Sequence, residues 1–417
     1  MASKDTVVLG AGVVGVATAW YLAEQGRRVT VIDRRALPAM ETSFANAGMV
    51  APGHSYTWAS PQALGILWRS LRDDSQALRL KIRFDPDMWA WLWKFMLNCT
   101  IDRTQLNTAR KLSLCLYSQD LLQRLTTTQK LQYDRISCGA LYLYRDEISL
   151  ARAREKMRIL TNGGVRLDIL NADEVLKYEP ALTSARKQIA GAIYCPGDES
   201  GDARMFTLAL MERCRESGVN FMMDAQVQSI EANANKVIAV HTNLGVVTGD
   251  DYVLALGSYS PHMARPLGYR LPVYPVKGYS ITFPTDQSYQ PPTIAGVDEN
   301  NLVAWARFGN RLRFTATAEF SGYDTDHKPS DFAPMLRVAK LLFPDGADYE
   351  HPEYWAGLRP MTPEGTPILG KSRHKNLYFN TGHGHMGWTM ACGTAKIVAD
   401  IMNGCEPPIN ITGMTLR

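Results

Sequence analysis

What this chain lacks narrows it before any motif is read. It has no CxxC pair, and its seven cysteines stand apart at 99, 115, 138, 195, 214, 392 and 405. An odd, scattered set argues against a disulfide framework or a zinc site and for reduced thiols. There is no run of about 18 apolar residues, so no spanning helix is expected. The opening, MASKDTVVLG, lacks the charged start and cleavage site of a signal peptide. Neither sign of charge dominates: 45 basic against 41 acidic residues leave +4, spread along the chain. That balance is too mild for a nucleic-acid binder, though it permits loose contact with an anionic surface. No internal repeat, low-complexity tract or obvious linker occurs. What remains is a cytoplasmic globular chain of 417 residues, 46% apolar, with length for two or three domains.

The N-terminal stretch TVVLGAGVVGVATAWYLAEQG states the first chemistry. Thr6 to Leu9 reads as a strand and Gly10-Ala11-Gly12-Val13-Val14-Gly15 as a turn. A helical pattern follows to Gln25-Gly26, then a second strand, Val29 to Ile32, ends at Asp33. A lone GxGxxG is weak, but here strand, turn, helix, strand and acid follow in order within 28 residues. Gly10 permits the tight turn, Gly12 lets a pyrophosphate touch backbone, and Gly15 lets the helix lie close on the sheet. The helix start favours phosphate charge, and Asp33 can accept from ribose hydroxyls. Arg34 and Arg35 raise the alternative of a 2′-phosphate, which Asp33 would repel. A nicotinamide enzyme usually continues into further βα units. This chain enters METSFANAGMVAPGHSYTW instead, residues 40–58. Such a loop can follow an extended cofactor with backbone NH groups and short hydroxyls, or be a plain surface loop.

Residues 58–97 hold five of the nine tryptophans: Trp58, Trp68, Trp89, Trp91 and Trp93. The run MWAWLWKFML, 88–97, is apolar but for Lys94. It is too short to span a bilayer but can rest in its interface, with Arg69, Arg72, Arg79, Lys81 and Arg83 at headgroups. A buried helix with a large aromatic face explains it equally. Helices are expected over 109–125, 149–162 and 206–217, and another from Asn171, with Glu174 three residues on, to Pro180. Short strands follow from Phe221 to Val247, and DYVLALGSYS, 251–260, reads as a buried strand entering a glycine turn.

Several stretches, in order and spanning essentially the whole chain, carry a family resemblance. VVLGAGVVGVATAWYLAEQGRRVTVIDR, ETSFANAGMVAPG, YPVKGYS, WAGLRPMTPEGTPILG and NTGHGHMGWTMACG together resemble the bacterial FAD-dependent D-amino acid dehydrogenases. These belong to the wider D-amino acid oxidase and glycine oxidase group. The resemblance implies an α/β fold: a glutathione-reductase-type FAD-binding Rossmann domain interleaved with a sheet-based substrate domain. The expected division is flavin domain at 1–55, 166–265 and 351–417, with a cap region at 56–165 and the substrate sheet at 266–350. It also implies oxidative deamination of D-amino acids, with hydride passing from Cα to flavin N5. Electrons would go on to a quinone or other respiratory acceptor, and the protein would sit in the cytoplasm, or peripherally on the inner face of the plasma membrane.

Cofactor contacts are expected from Gly10, Gly12, Val13, Val14, Gly15, Asp33 and Arg34; from Thr42, Ser43, Asn46, Ala47, Gly48 and Met49; and from Val227 and Gly257. At the other end Gly384, Met386, Gly387, Trp388 and Thr389 open a helix whose start carries partial positive charge. The NH groups of Gly387, Trp388 and Thr389 would stabilise the reduced flavin's anionic N1–C2 carbonyl edge, with glycines allowing close approach. His383 and His385 have a metal-like spacing but no third ligand nearby, so no metal is expected. In the resembling family the arginine of GLRP binds the substrate carboxylate, which places that role on Arg359; a guanidinium suits a bidentate clamp. Arg307, on an expected strand, is a second candidate, explained as well by a strand-surface position. His54, Tyr56 and Tyr279 could line the pocket beside the ring. Rival readings are the same fold acting on glycine, sarcosine or D-proline-like secondary amines, an NAD(P) enzyme, and a flavin-binding subunit without turnover.

Overall fold

A computed structural model describes residues 4–70 and 78–416, with the backbone alone for 66–70. Trp68 and Arg69 therefore have no described side chain, and Arg72 lies outside the described residues.

The N-terminal reading becomes two interior strands of a six-stranded sheet. Its order is Ile368–Lys371, Leu377–Thr381, Asp251–Leu254, Asp5–Leu9, Arg28–Ile32 and Asn220–Met222. All neighbours are parallel except the outermost pair, Ile368–Lys371 with Leu377–Thr381. The strands are apolar on both faces because both are covered, one by helices and the other by a three-stranded antiparallel sheet, Val227–Ala232, Val237–Thr242 and Gly245–Val247. Val13–Glu24 lies in one apolar core with Gly387–Met402 and Ala203–Glu216. Two close approaches fix this packing. A Cβ on Gly15 would stand 1.9 Å from the Gly10 carbonyl oxygen, and one on Gly10, at φ +108, would stand 2.6 Å from the Ala255 oxygen.

The two ends of the chain are tied together beneath this sheet. Arg27, buried, donates to Asp251 at 2.7 Å, to the Met402 carbonyl at 2.7 Å and to Asn403 at 2.9 Å. Gln25 donates to Asp400, and Asn380 to Thr18. The glycine turn at 10–15 and the loop at 382–389 thus open onto one space.

The second sheet has nine strands. Its path runs Glu353–Met361, Tyr274–Pro284, Arg311–Phe320, Val303–Phe308, Ala295–Asp298, Ala140–Tyr144, Gly191–Cys195, Asp168–Asn171, with Leu78–Leu80 beside Arg311–Phe320. The expected division needs correcting at two places. Asp168–Asn171 and Gly191–Cys195, expected with the flavin domain at 166–265, pair with this sheet, as does Glu353–Met361 from the expected 351–417 segment. Gly191–Cys195 pairs with Ala140–Tyr144 and Glu353–Met361 with Tyr274–Pro284, partners far enough along the chain that local pattern could not assign them. Between the first two strands, Asn171 and Glu174 form the expected capping box of helix Ala172–Tyr178.

The tryptophan-rich helix is buried on one side and exposed on the other. Helix Pro86–Asn98 starts on Asp85, whose side chain accepts from the Met88 amide. Trp91 is buried and donates its indole NH to the Met361 carbonyl at 2.8 Å. Trp89 and Trp93 are 46% and 61% exposed, near exposed Leu97 and Ile101. Among the described residues no helix is long and apolar enough to cross a membrane.

Candidate active site

Between the two sheets runs one cavity of about 760 Å³. It begins at the glycine turn and ends against the C-terminal helix start. Gly10, Gly12, Val13 and Val14 line it with Asp33 and Arg34; so do Thr42, Ser43, Asn46, Ala47, Gly48 and Met49. Val227 and Gly257 close one side, and Gly384, Met386, Gly387, Trp388 and Thr389 the far end. Gly15 is absent from the lining; its place is the helix–strand contact described above.

The nucleotide end is preorganised. Asp33 accepts from the amides of Ala11 (2.7 Å) and Arg35 (2.9 Å), while burial pushes its carboxyl above the usual range. Helix Val13–Glu24 begins on Gly12, which brings no capping side chain, and Ser43 Oγ accepts from Val13 NH at 3.2 Å. Arg34 is already committed: it donates to Glu41 at 2.6 Å and lies 4.0 Å over the Tyr259 ring. Arg35 donates to the same Glu41 carboxylate at 3.0 Å, so both arginines raised for a 2′-phosphate are paired with an acid. The loop that follows is held from outside. Thr42 donates to the Leu358 carbonyl, Asn46 accepts from the Gly48 amide, and Thr389 Oγ1 accepts from the Ala51 amide. Gly48 sits at φ +68 where a Cβ would meet the Phe308 ring at 2.1 Å.

At the far end, helix Gly387–Met402 starts against the cavity with no side-chain cap. The Trp388 indole nitrogen is buried without a partner. A glycine cradle, an acid at the strand end and two uncapped helix starts suit a long dinucleotide with an anionic middle and an electron-rich far edge. FAD fits this donor set. His383 is no ligand: its Nε2 meets Thr394 Oγ1 at 2.9 Å, and burial pushes it down to about 3. His385 stacks on Trp58 and is held well below the usual histidine range, first by burial and then by the charges of Lys111, His54 and Arg359. No cluster able to hold a metal occurs among the described residues.

Arg359 lies deep in the cavity on strand Glu353–Met361. One nitrogen donates to the Thr317 carbonyl at 2.6 Å, and among the described residues no carboxylate pairs with it. Burial lowers its pKa to about 10, so it stays charged at neutral pH. Gly278 on the neighbouring strand makes the space: a Cβ there would lie 2.4 Å from the guanidinium carbon.

His54 and Tyr56 line the same space; Tyr279 touches it, but its hydroxyl is spent on Glu319 at 2.8 Å. Arg307 needs correcting. It donates to the Gly309 carbonyl and lines a separate surface hollow with Thr285 and Asp286. Strand alternation is the reason. Arg307 shares a face with Trp305, which packs on Phe343, while Ala306 and Phe308 face Met49. Sequence reasoning missed Glu299 and Lys156, which also line the cavity. Glu299 meets His54 Nε2 at 2.7 Å across 245 positions, and no local motif announces such a pair.

A dinucleotide grip, a second sheet and a half-buried guanidinium between them define a flavin-dependent oxidoreductase. The chain belongs to the FAD dependent oxidoreductase family, whose pattern matches residues 5–401, and FAD is its cofactor. It is 44% identical over 408 residues to D-amino acid dehydrogenase 2 of Mesorhizobium japonicum, covering 98% of both chains. It is 42% identical over 416 residues to D-amino acid dehydrogenase of Vibrio cholerae, covering 99% of this chain and 98% of that one. Among solved structures, glycine oxidase from Geobacillus kaustophilus superposes with a TM-score of 0.76 at 22% identity, covering 100% and 99%. L-proline dehydrogenase from P. horikoshii gives 0.75 at 17%, covering 99% and 96%.

Proposed function

We propose that this protein oxidises D-amino acids to 2-oxo acids and ammonium and passes the electrons to a quinone-type respiratory acceptor. One observation carries the substrate end: Arg359 is a cation deep in the cavity with no carboxylate partner among the described residues. A buried charge without its counter-ion is costly unless a ligand supplies one. An amino acid's carboxylate does so with two parallel hydrogen bonds. The names of the relatives at 44% and 42% identity support the D-configured substrate. Bound here, FAD would supply the redox chemistry as a two-electron acceptor. The protein's part is to seat carboxylate, amine and Cα in one orientation. The imine product hydrolyses without further help.

Exposed Trp89, Trp93, Leu97 and Ile101 support peripheral contact with an anionic membrane, where such an acceptor resides. Turnover on D-alanine, D-proline and sarcosine, each with a soluble quinone and with oxygen, tests the reading. D-alanine with quinone is expected to be fastest. Faster turnover of sarcosine with oxygen would put the glycine oxidase-like chemistry in its place. Absence of turnover on all three would leave a flavin-binding subunit.

A further inference from the structure

The proposed reaction has a proton to dispose of. An amino acid binds with its nitrogen as ammonium, and that nitrogen must be neutral when the hydride leaves Cα. The cavity contains three lining carboxylates. Asp33 and Glu41 belong to the nucleotide end, spent on backbone amides and on Arg34 and Arg35. Glu299 is the third. It follows strand Ala295–Asp298, fixed by its amide's bond to the Leu143 carbonyl at 3.0 Å. One carboxylate oxygen meets His54 Nε2 at 2.7 Å, and the other makes no hydrogen bond among the described residues.

His54 is clamped rather than merely adjacent. It closes the short turn Pro52–His54, whose Gly53 amide donates to Asp198 at 2.9 Å. Its ring stacks on Tyr142 with centroids 5.0 Å apart, and the Tyr142 hydroxyl donates to the same Asp198. Tyr56 stands edge-on at 6.0 Å. Nothing in these contacts spends the other ring nitrogen, and both His54 and Glu299 face the space that Arg359 faces.

We propose that His54, held and charge-balanced by Glu299, takes the proton that the bound substrate's ammonium group gives up before its Cα–H is oxidised. This rests on the reading of the site as a D-amino acid oxidising centre. The N–H bond breaks, its electron pair stays on the substrate nitrogen, and the proton joins the imidazole. The two electrons of the Cα–H bond leave with the hydride to FAD, and the nitrogen pair closes the imine.

The neighbouring groups are poorly suited to the task. Burial pushes the hydroxyls of Tyr56, Tyr142 and Tyr144 far up. His385 is held far below neutrality. Lys111, lowered to about 8 by burial, spends its ammonium on the Tyr56 carbonyl, and Lys156 lies 4.1 Å over the Tyr56 ring. Asp198 stands behind Tyr142, outside the lining. Burial raises the Glu299 carboxyl, but the charge and hydrogen bond of His54, with Lys156, outweigh it and keep the group ionised.

Anaerobic flavin bleaching by D-alanine, followed from about pH 6 to about pH 10 in wild type, His54→Asn and Glu299→Gln, tests this. His54→Asn should bleach ~10²-fold more slowly at neutral pH and recover as pH climbs toward the free amine's own pKa. Glu299→Gln should move the acid limb to lower pH, because the imidazolium loses its counter-charge. β-Fluoro-D-alanine, whose amine is a weaker base, should lose less in His54→Asn. FAD content and visible spectrum should match wild type in both variants. Profiles parallel to wild type would overturn the inference. If His54→Asn fails to hold FAD, an unmoved limb in Glu299→Gln overturns it alone. A wild-type enzyme that D-alanine never bleaches would instead overturn the reading of the site.

Discussion

The proposed clamp by Arg359 depends on two neighbours that need never touch a substrate. The Thr317 carbonyl aims it, and the missing side chain at Gly278 gives it room. Arg359→Ala should lower kcat/KM for D-alanine ~10²–10³-fold, the loss of a buried charge-assisted pair worth ~3–4 kcal/mol, with FAD content unchanged. Arg359→Lys should recover only part of this, since a point charge cannot make the two parallel bonds. Gly278→Ala should cost roughly 10–100-fold in kcat/KM without removing any polar group, because its new methyl displaces the guanidinium. Arg307→Ala should leave kcat/KM unchanged, which steady-state kinetics would show directly. Both arginines sit on strands of one sheet, and composition cannot separate them. Parity does: a strand position shifted by one faces the other side.

Helix Pro86–Asn98 shows how much an element's pattern holds. Tryptophans at 89, 91 and 93 look like one aromatic block in the sequence. At about 3.6 residues per turn, 89 and 93 share a face and 91 points the opposite way. The buried-helix reading therefore holds for Trp91, while Trp89 and Trp93 lie exposed on the opposite face. Trp91→Ala should destabilise the protein by about 3–5 kcal/mol in urea unfolding, through a cavity and a lost bond to Met361. Trp89→Ala with Trp93→Ala should change stability by only about 0.5 kcal/mol but release the protein from anionic vesicles in co-sedimentation. Retention of the double variant on vesicles would refute the membrane contact. The glycine turn at 10–15 was legible because each of its constraints acts within a few residues. The large sheet was not, since its order joins segments from 78 to 361.

For the molecule as a whole, closing the cavity buries charge that the unfolded chain would keep in water. Asp198 is the clearest case. Burial pushes its carboxyl up to about 6, against the lowering bonds from Tyr142 and Gly53. The native state therefore holds this proton more tightly than the unfolded chain. The stability it contributes is full below about pH 4 and is lost as pH rises through about 6. Relative to Asp198→Asn, wild type should lose on the order of 2–3 kcal/mol across that window. Thermal midpoints of the two proteins at its two ends would read this as a changing gap; a constant gap would contradict it. The pairing of His54 with Glu299 belongs to this scale too, because only the assembled sheets bring those residues together.

The central claim is that one FAD, gripped near both ends of the chain, takes electrons from a D-amino acid clamped by Arg359. Anaerobic mixing of the purified yellow protein with D-alanine and with L-alanine, watching the flavin band, tests it most directly. The account predicts full bleaching by the D-isomer and none by the L-isomer over the same time. A protein that holds FAD yet stays yellow with D-alanine, or bleaches equally with both, would contradict it.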